Sequence, residues 1–218
     1  MLFDCLIQIR DPEPHSAALN MALDETLLAT ASEPLVRVYR WIKPAVSFGY
    51  FGKYTPVAAA WPDCEIVRRM TGGGIVEHGT DITYTLIIPA AHPSAQRGAR
   101  RSYRAIHSAL ADWLQQRGIA ASLASAPAGR GGGICFQDAA ESDVVSAGRK
   151  LAGAAQRRTR HGTLHQGSMQ GIPGEWRATL ATAFASHIES RDFTPAEIET
   201  ARRLASEKYA TAAWTQRV

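Results

Sequence analysis

Apolar residues recur along the chain in two rhythms. In 2 to 10 (LFDCLIQIR), 35 to 41 (LVRVYRW), 45 to 49 (AVSFG), 65 to 69 (EIVRR), 75 to 78 (IVEH) and 82 to 89 (ITYTLIIP) they alternate or run together briefly, which predicts strands. The first pair of these after the N-terminal strand, 35 to 41 and 45 to 49, reads as a strand pair around the turn residues Lys43 and Pro44. Between 10 and 35 the rhythm changes. After a DPEP turn, Leu19, Leu23 and Leu27 recur every four residues behind Ser16, whose side chain can cap a helix. A second helix is predicted over SYRAIHSALADWLQQRG, with Ser102 as cap, Ile106, Leu110, Trp113 and Leu114 on one stripe, and Gly118 as the stop.

A loop rich in Ala and Gly follows and ends in GRGGGICF (129 to 136). DVVS, the turn AGR, KLAGAAQRR and GTLHQGSM then read as a meander of strands, and the C-terminal part reads as helical. Thr194, Pro195 and Glu197 there make a capping box with proline at the first helical position. Strands and helices do not alternate regularly, which predicts an α+β fold with a mixed, largely antiparallel sheet and packed helices. Without an internal repeat or a long polar linker, residues 1 to 218 read as a single domain.

Composition narrows the classes. The chain has 218 residues, 45% of them hydrophobic and 20% charged, which excludes a disordered chain and supplies a sizeable core. No apolar run reaches membrane-spanning length, and the N-terminus carries Asp4 without a basic leader region, so a soluble cytoplasmic protein is expected, with no membrane partner. The net charge is +4, with arginines clustered at 97 to 104 and 149 to 160. These read as solvated faces; they are not interleaved with aromatics, as a nucleic-acid surface would be. The three cysteines are an odd number without CxxC spacing, so neither a disulfide framework nor a metal site is expected. Cys5 and Cys64 read as small buried hydrophobes.

Candidate chemistry begins at RRMTGGGIVEH (68 to 78). Three bare glycines can offer N–H groups to a phosphate or a developing oxyanion, with Arg68 and Arg69 adding charge; the plainer reading is a flexible hairpin. The stretch is neither a Walker A loop nor a dinucleotide fingerprint. Lys150 opens a strand of small residues, which suits a cation aimed into a narrow cleft as well as a turn lysine facing solvent. Cys135 lies between a glycine loop and Phe136, fifteen residues before Lys150. A nearby cation would favour its thiolate, a good acyl acceptor, although a lone cysteine also serves as a small hydrophobe. His161 and His165 are four apart on a strand or turn, so a helical metal pair is not expected; His165 lines a cleft or makes a structural hydrogen bond.

The order of these motifs is more specific than any one of them. RRMTGGGIVEH, then GRKLAGAAQRR (148 to 158) and HGTLHQGS (161 to 168), resembles the biotin/lipoate protein ligase family, in the branch of lipoate-protein ligase A and the LipM-like octanoyltransferases. NMALDETLL, RVYRWIKPAVSFGYF, ITYTLIIP and SYR match as well, over most of residues 1 to 170. The resemblance implies an α+β fold related to class II aminoacyl-tRNA synthetases and biotin ligases. It implies transfer of an octanoyl or lipoyl group to a lysine of a lipoyl acceptor domain, of the 2-oxoacid dehydrogenase E2 or glycine cleavage H protein type. By resemblance, Arg69, Thr71, Gly72, Gly73, Gly74 and His78 line the acyl or acyl-adenylate site, together with Gly153, Ala154, Ala155, Gln156, His165 and Gly167. Lys150 then contacts the acyl carbonyl or phosphate.

The family divides by chemistry. Ligases use ATP and Mg2+ to make an acyl-adenylate from lipoate or octanoate, whereas the transferases take octanoyl from acyl carrier protein through a cysteine thioester, with no cofactor. CFQDAAESDVVSAGRK resembles the cysteine-bearing segment of the transferases, with Cys135 as nucleophile. The expected lack of a C-terminal accessory domain points the same way. The triplet GGG is the form ligases tend to have, where the transferases more often show GGR, and Ala139 and Ala140 stand where a proline is usual. A non-catalytic module that binds lipoate or the acceptor would need neither Lys150 nor the glycine loop.

Overall fold

Strand β6 (Ile82–Pro89) is buried along its whole length, and the fold is built outward from it. The structure is a computed structural model that describes residues 1–125 and 139–217. Ile82, Tyr84, Leu86 and Ile88 share one core with Ile106, Leu110, Trp113 and Leu114 of helix α3 (Ala99–Gln115). On the opposite face Ile87 packs with Leu27 and Leu28 of helix α1 (Ala17–Thr30), and the Thr85 hydroxyl donates to Asp24 of α1 at 2.6 Å. Both faces of the strand are thus covered by helices, which is why its sequence runs apolar with only hydroxyl residues interleaved. Each large aliphatic side chain buried this way contributes about 1.5–3 kcal/mol.

The main sheet runs in the order β11 (Ala185–Arg191), β1 (Phe3–Ile9), β2 (Leu35–Tyr39), β6, β10 (Gly162–Met169), β9 (Arg149–Thr159), β8 (Val144–Ser146) and β7 (Ser122–Leu123). β1 is parallel to β2 and β11, and the remaining neighbours are antiparallel. A smaller sheet places β3 (Ala45–Phe48) between β4 (Glu65–Arg68), which is parallel to it, and β5 (Ile75–His78), which is antiparallel. Short helices α2 (Tyr54–Ala60), α4 (Pro195–Leu204) and α5 (Ala212–Thr215) complete the described residues, with 3-10 stretches at Pro93–Gln96 and Gly174–Ala183 and a π turn at Ala205–Tyr209. The α+β class with a mixed, largely antiparallel sheet is the observed one.

Local signals hold in detail at several places. Ser16 accepts from Leu19 N at 3.3 Å, Gly118 stops α3 in a left-handed conformation, and Thr194 and Glu197 form the reciprocal capping box of α4. Elsewhere tertiary pairing changes the outcome. Residues 35 to 41 and 45 to 49 are not a strand pair: both edges of β2 are taken by β1 and β6, so β3 joins the other sheet. The glycine triplet is not a hairpin turn, because β4 and β5 flank β3 and the loop crosses over it. α3 begins earlier than Ser102; its N-cap is Gly98, whose carbonyl accepts from Ser102 N at 2.9 Å. Strand β11 precedes the C-terminal helix and is drawn into the sheet by the free edge of β1. Cys5 and Cys64 are only partly buried.

Candidate active site

Ala147 and Gly148 make the two-residue turn between β8 and β9, with φ of 47° and 76°. Left-handed values at both positions are what a tight hairpin turn of this hand requires. The turn sets Lys150 two residues into β9, and its ammonium is buried against Asp143 Oδ2 at 2.7 Å. Asp143 follows Ser142, itself at φ 69°. Its carboxylate also accepts from Ala140 N at 2.8 Å and from the Tyr103 hydroxyl of α3. Tyr103 in turn accepts from Ala154 N at 3.1 Å, so helix and strand are linked through one phenol. Burial, then the charge of Asp143, pushes that phenol above its usual range and keeps it a donor.

The small residues after Lys150 have a steric use. A Cβ on Gly153 would lie 2.4 Å from Lys150 Cε and 2.7 Å from Nζ, so the lysine lies across bare backbone. From there a narrow slot opens between the two sheets. Gly153, Ala154 and Ala155 of β9 and Gly167 of β10 line it from the main sheet, and Arg69, Val76 and His78 from the smaller one. Trp41 adds an apolar wall, stacked on His78 with ring centroids 4.2 Å apart.

His78 is held at both nitrogens, by Ser47 Oγ at 2.6 Å and Asp81 Oδ2 at 2.9 Å. Asp81 also accepts from Thr83 Oγ1 at 2.7 Å and Ser168 Oγ at 2.6 Å. Burial would raise this carboxyl, but the electrostatic attraction of His78 and the hydrogen bonds from His78, Ser168 and Thr83 outweigh it and hold it below the ordinary range. Arg69 donates to Ser47 Oγ at 2.8 Å and to the carbonyls of Gly72 and Gly74 at 3.0 Å each. The guanidinium therefore shapes the glycine loop from inside. Gly73, at φ 85°, turns its carbonyl against Gly49, where a Cβ would come within 2.1 Å of it.

Other residues singled out in the sequence stand behind the slot. Thr71 is buried and donates to Gln166 Oε1 at 2.8 Å, and Gln166 donates to Asp24 Oδ2 at 2.8 Å. Asp24 is paired with the buried Arg37 at 2.8 Å, so the NMALDE segment anchors the glycine loop through a polar chain. His165 accepts at Nδ1 from Gln156 at 3.0 Å and meets the Tyr84 hydroxyl at Nε2, 3.2 Å away. Burial, then nearby His107, pushes its pKa well below the usual histidine range, so it stands neutral. Arg68 points away from the slot and donates to the carbonyls of Tyr50, Gly52, Trp214, Thr215 and Arg217 at 2.7–3.0 Å. It ties the C-terminal segment to β4 and adds no charge to the triplet's ligand face. Cys135 lies outside the described residues. Both flanks of its segment, however, hydrogen-bond beside Lys150's partner: Ser142 N donates to Ala124 O at 2.9 Å and Ala140 N to Asp143.

Asp143, Tyr103, Ser47 and Trp41 belong to the site without a motif that marks them as such. Their one usable signal was local: an acid just before the hairpin that carries Lys150. The others converge only through sheet order.

The family model of the lipoyl protein ligase A/B catalytic domain matches residues 16–170. Among curated proteins, the octanoyltransferase LipM of Oceanobacillus iheyensis is 37% identical over 165 residues, covering 72% of this chain and 60% of that protein. The octanoyltransferase LipM of Moorella thermoacetica is 34% identical over 165 residues, covering 69% and 59%. The chain thus spans about 60% of the length of these relatives. Among solved structures, a lipoate-protein ligase A bound with ATP superposes with a TM-score of 0.78 at 18% identity, covering 98% of this chain and 99% of that one. A bi-partite lipoate protein ligase of an archaeal lipoylation system from Thermoplasma acidophilum, described together with its E2 lipoyl domain, gives 0.69 at 19% identity, covering 98% and 96%. At that identity the likeness establishes the fold. With the family match spanning most of its length, the chain belongs to the lipoyl protein ligase A/B catalytic-domain family.

Proposed function

We propose that this protein transfers an octanoyl group from acyl carrier protein to a lysine of a lipoyl acceptor domain, through a thioester on Cys135. The observation that carries the reading is the buried, carboxylate-paired Lys150 lying across Gly153 beside a slot walled by small and aromatic side chains. Such a slot suits a slim alkyl chain, each buried methylene contributing about 0.8 kcal/mol, with a cation near its polar end. The octanoyltransferase LipM relatives, at 32–37% identity, support octanoyl as the acyl group.

In the first step the Cys135 sulfur bonds to the thioester carbonyl carbon of the donor. The donor's C–S bond breaks, and the carrier leaves as a thiol with the proton that Cys135 gave up. In the second step the ε-amine of the acceptor lysine attacks the same carbon. An amide forms, and Cys135 departs with the proton lost by the amine. Lys150 stabilises the oxygen charge that grows in both tetrahedral intermediates, where a fixed cation is most effective. Glycine backbone at 72 to 74, shaped by Arg69, and His78, fixed by Ser47 and Asp81, border the chain.

The transferase needs no cofactor; the ligase reading, which the GGG triplet favours, needs ATP and Mg2+. An E2-type or glycine cleavage H-type lipoyl domain is the acceptor class, in keeping with the lipoyl domain that accompanies the archaeal neighbour. Among the described residues no helix is long and apolar enough to cross a membrane, and we place the reaction in the cytoplasm. The parallel pairing of β11 with β1 supports reading residues 1 to 218 as one catalytic domain. Intact-mass analysis after incubation with octanoyl acyl carrier protein, set against octanoate with ATP and magnesium, tests the reading. The expected result is an octanoyl adduct on Cys135, absent in Cys135→Ser and independent of ATP. Acyl transfer only with ATP, with Cys135→Ser still active, would replace it with the ligase.

A further inference from the structure

Far along the sheet from the slot, the edge strand β11 carries His187 directly beside Cys5 of β1 in the parallel register. Glu189 stands two residues further along β11, hence on the same sheet face as His187. A thiol, an imidazole and a carboxylate therefore converge, and their ligand atoms all lie within 4.8 Å of one another. His187 Nε2 and Glu189 Oε1 are already 3.3 Å apart. Two ligands on one tetrahedral zinc, each about 2.05 Å from it, lie about 3.3 Å from each other. Ion and solvent can reach the cluster, since the His187 and Glu189 side chains are 67% and 61% exposed.

We propose that Cys5, His187 and Glu189 form a site for a borderline-soft divalent cation, Zn2+ before others, that clamps the edge strand β11 to β1. The donor set selects the ion: thiolate and imidazole favour zinc over the hard cations magnesium and calcium, which take all-oxygen shells. Glu33 supplies a further acid on the other side of Cys5. The pairing of Ile7 with Leu35 puts it beside the cysteine in the upstream continuation of β2. Its charge, like that of Glu189, acts on the Cys5 thiol, whose pKa is raised first by its surroundings and then by these two carboxylates. Zinc would reverse that balance: the sulfur–metal bond forms as the thiol proton leaves to solvent. None of these residues borders the acyl slot, so the site is separate from transfer.

The test is titration of the full chain with cobalt chloride, with a non-chelating phosphine as reductant. The proposal expects a thiolate-to-cobalt charge-transfer band that saturates at one equivalent and is displaced by zinc chloride. Cys5→Ser should abolish the band, while Cys64→Ser and Cys135→Ser retain it. His187→Ala should weaken cobalt binding by about tenfold or more, since loss of a mere outer-shell partner already costs that much. Circular dichroism of Cys5→Ser checks that the strand pair still forms. A wild-type protein without the band, or a band that survives Cys5→Ser, would overturn the proposal.

Discussion

Lys150 and Asp143 pair their charges in a place almost closed to water, the side chains being 4% and 1% exposed. Removing one partner of such a pair leaves the other buried and costs about 3–5 kcal/mol. Lys150→Ala should therefore lose both activity and stability: octanoyl transfer by about 10²–10³ from the missing electrostatic donor, and urea stability by a few kcal/mol. Asp143→Asn should also lose stability, because it leaves the ammonium buried without its carboxylate. It keeps an acceptor for the Tyr103 hydroxyl but no longer fixes the ammonium, so turnover should fall while the KM for the acyl donor stays near wild type. Single-turnover transfer and urea melts on both variants decide the matter. Wild-type turnover in Lys150→Ala would reduce the lysine to a structural cation.

At the scale of elements, β9 and β10 use glycine for different ends, and paired substitutions should show it. On β9, a Cβ at Gly153 clashes with the far end of the Lys150 side chain, at 2.4 Å from Cε, and stands in ordinary contact with Asp143 Oδ1 at 3.5 Å. The flexible end of that chain can shift while its ammonium stays against Asp143, so Gly153→Ala should fold normally and lose transfer because the ammonium is displaced from the slot. On β10, a Cβ at Gly167 would sit 2.3 Å from the Tyr84 ring, which is wedged in the core against His165 and Phe184. Gly167→Ala should then cost about 1–3 kcal/mol as an overpacked core does. Urea midpoints and initial rates for the two variants give opposite patterns under this account; equal losses of stability would refute it.

The whole molecule carries a pH dependence written in two buried histidines. His107 donates from Nδ1 to Ser142 O at 2.7 Å, and its Nε2 has no partner among the described residues. Burial outweighs the attraction of Asp143 and lowers its pKa to about 4, and His165 is pushed well below the ordinary value. Both are neutral when folded, whereas the unfolded chain takes up protons below a pH of about 6.5. The stability is thus fully present above that pH and is lost as pH falls toward 4. His107 alone contributes up to about 3 kcal/mol over that window. Urea unfolding at pH 7.5, 6 and 5 should show this decline, and His107→Phe should flatten its slope by about one proton. An unchanged slope in the variant would remove His107 as the cause.

The sequence by itself determined what depends on neighbours within a turn or two. The Ser16, Gly118 and Thr194 helix signals, the stripe of α3 and the strand character of the segments on both sides of the glycine triplet all follow from local hydrogen bonding and periodicity. The order of its motifs also sufficed to indicate the family that the match over residues 16–170 establishes. Only the tertiary structure decided which strands meet. β2 takes β1 and β6 and so sends β3 into another sheet, and the free edge of β1 turns 185 to 191 into a strand. The same contacts divide the two arginines of RRMTGGG, Arg69 holding the loop carbonyls and Arg68 the C-terminal ones, because adjacent strand residues point to opposite faces. Lys150 shows the boundary well. Its place before a run of small residues is written in the chain, but its partner Asp143 reaches it through a tight turn and a bulged register, and such long-range geometry has no signature in a local pattern.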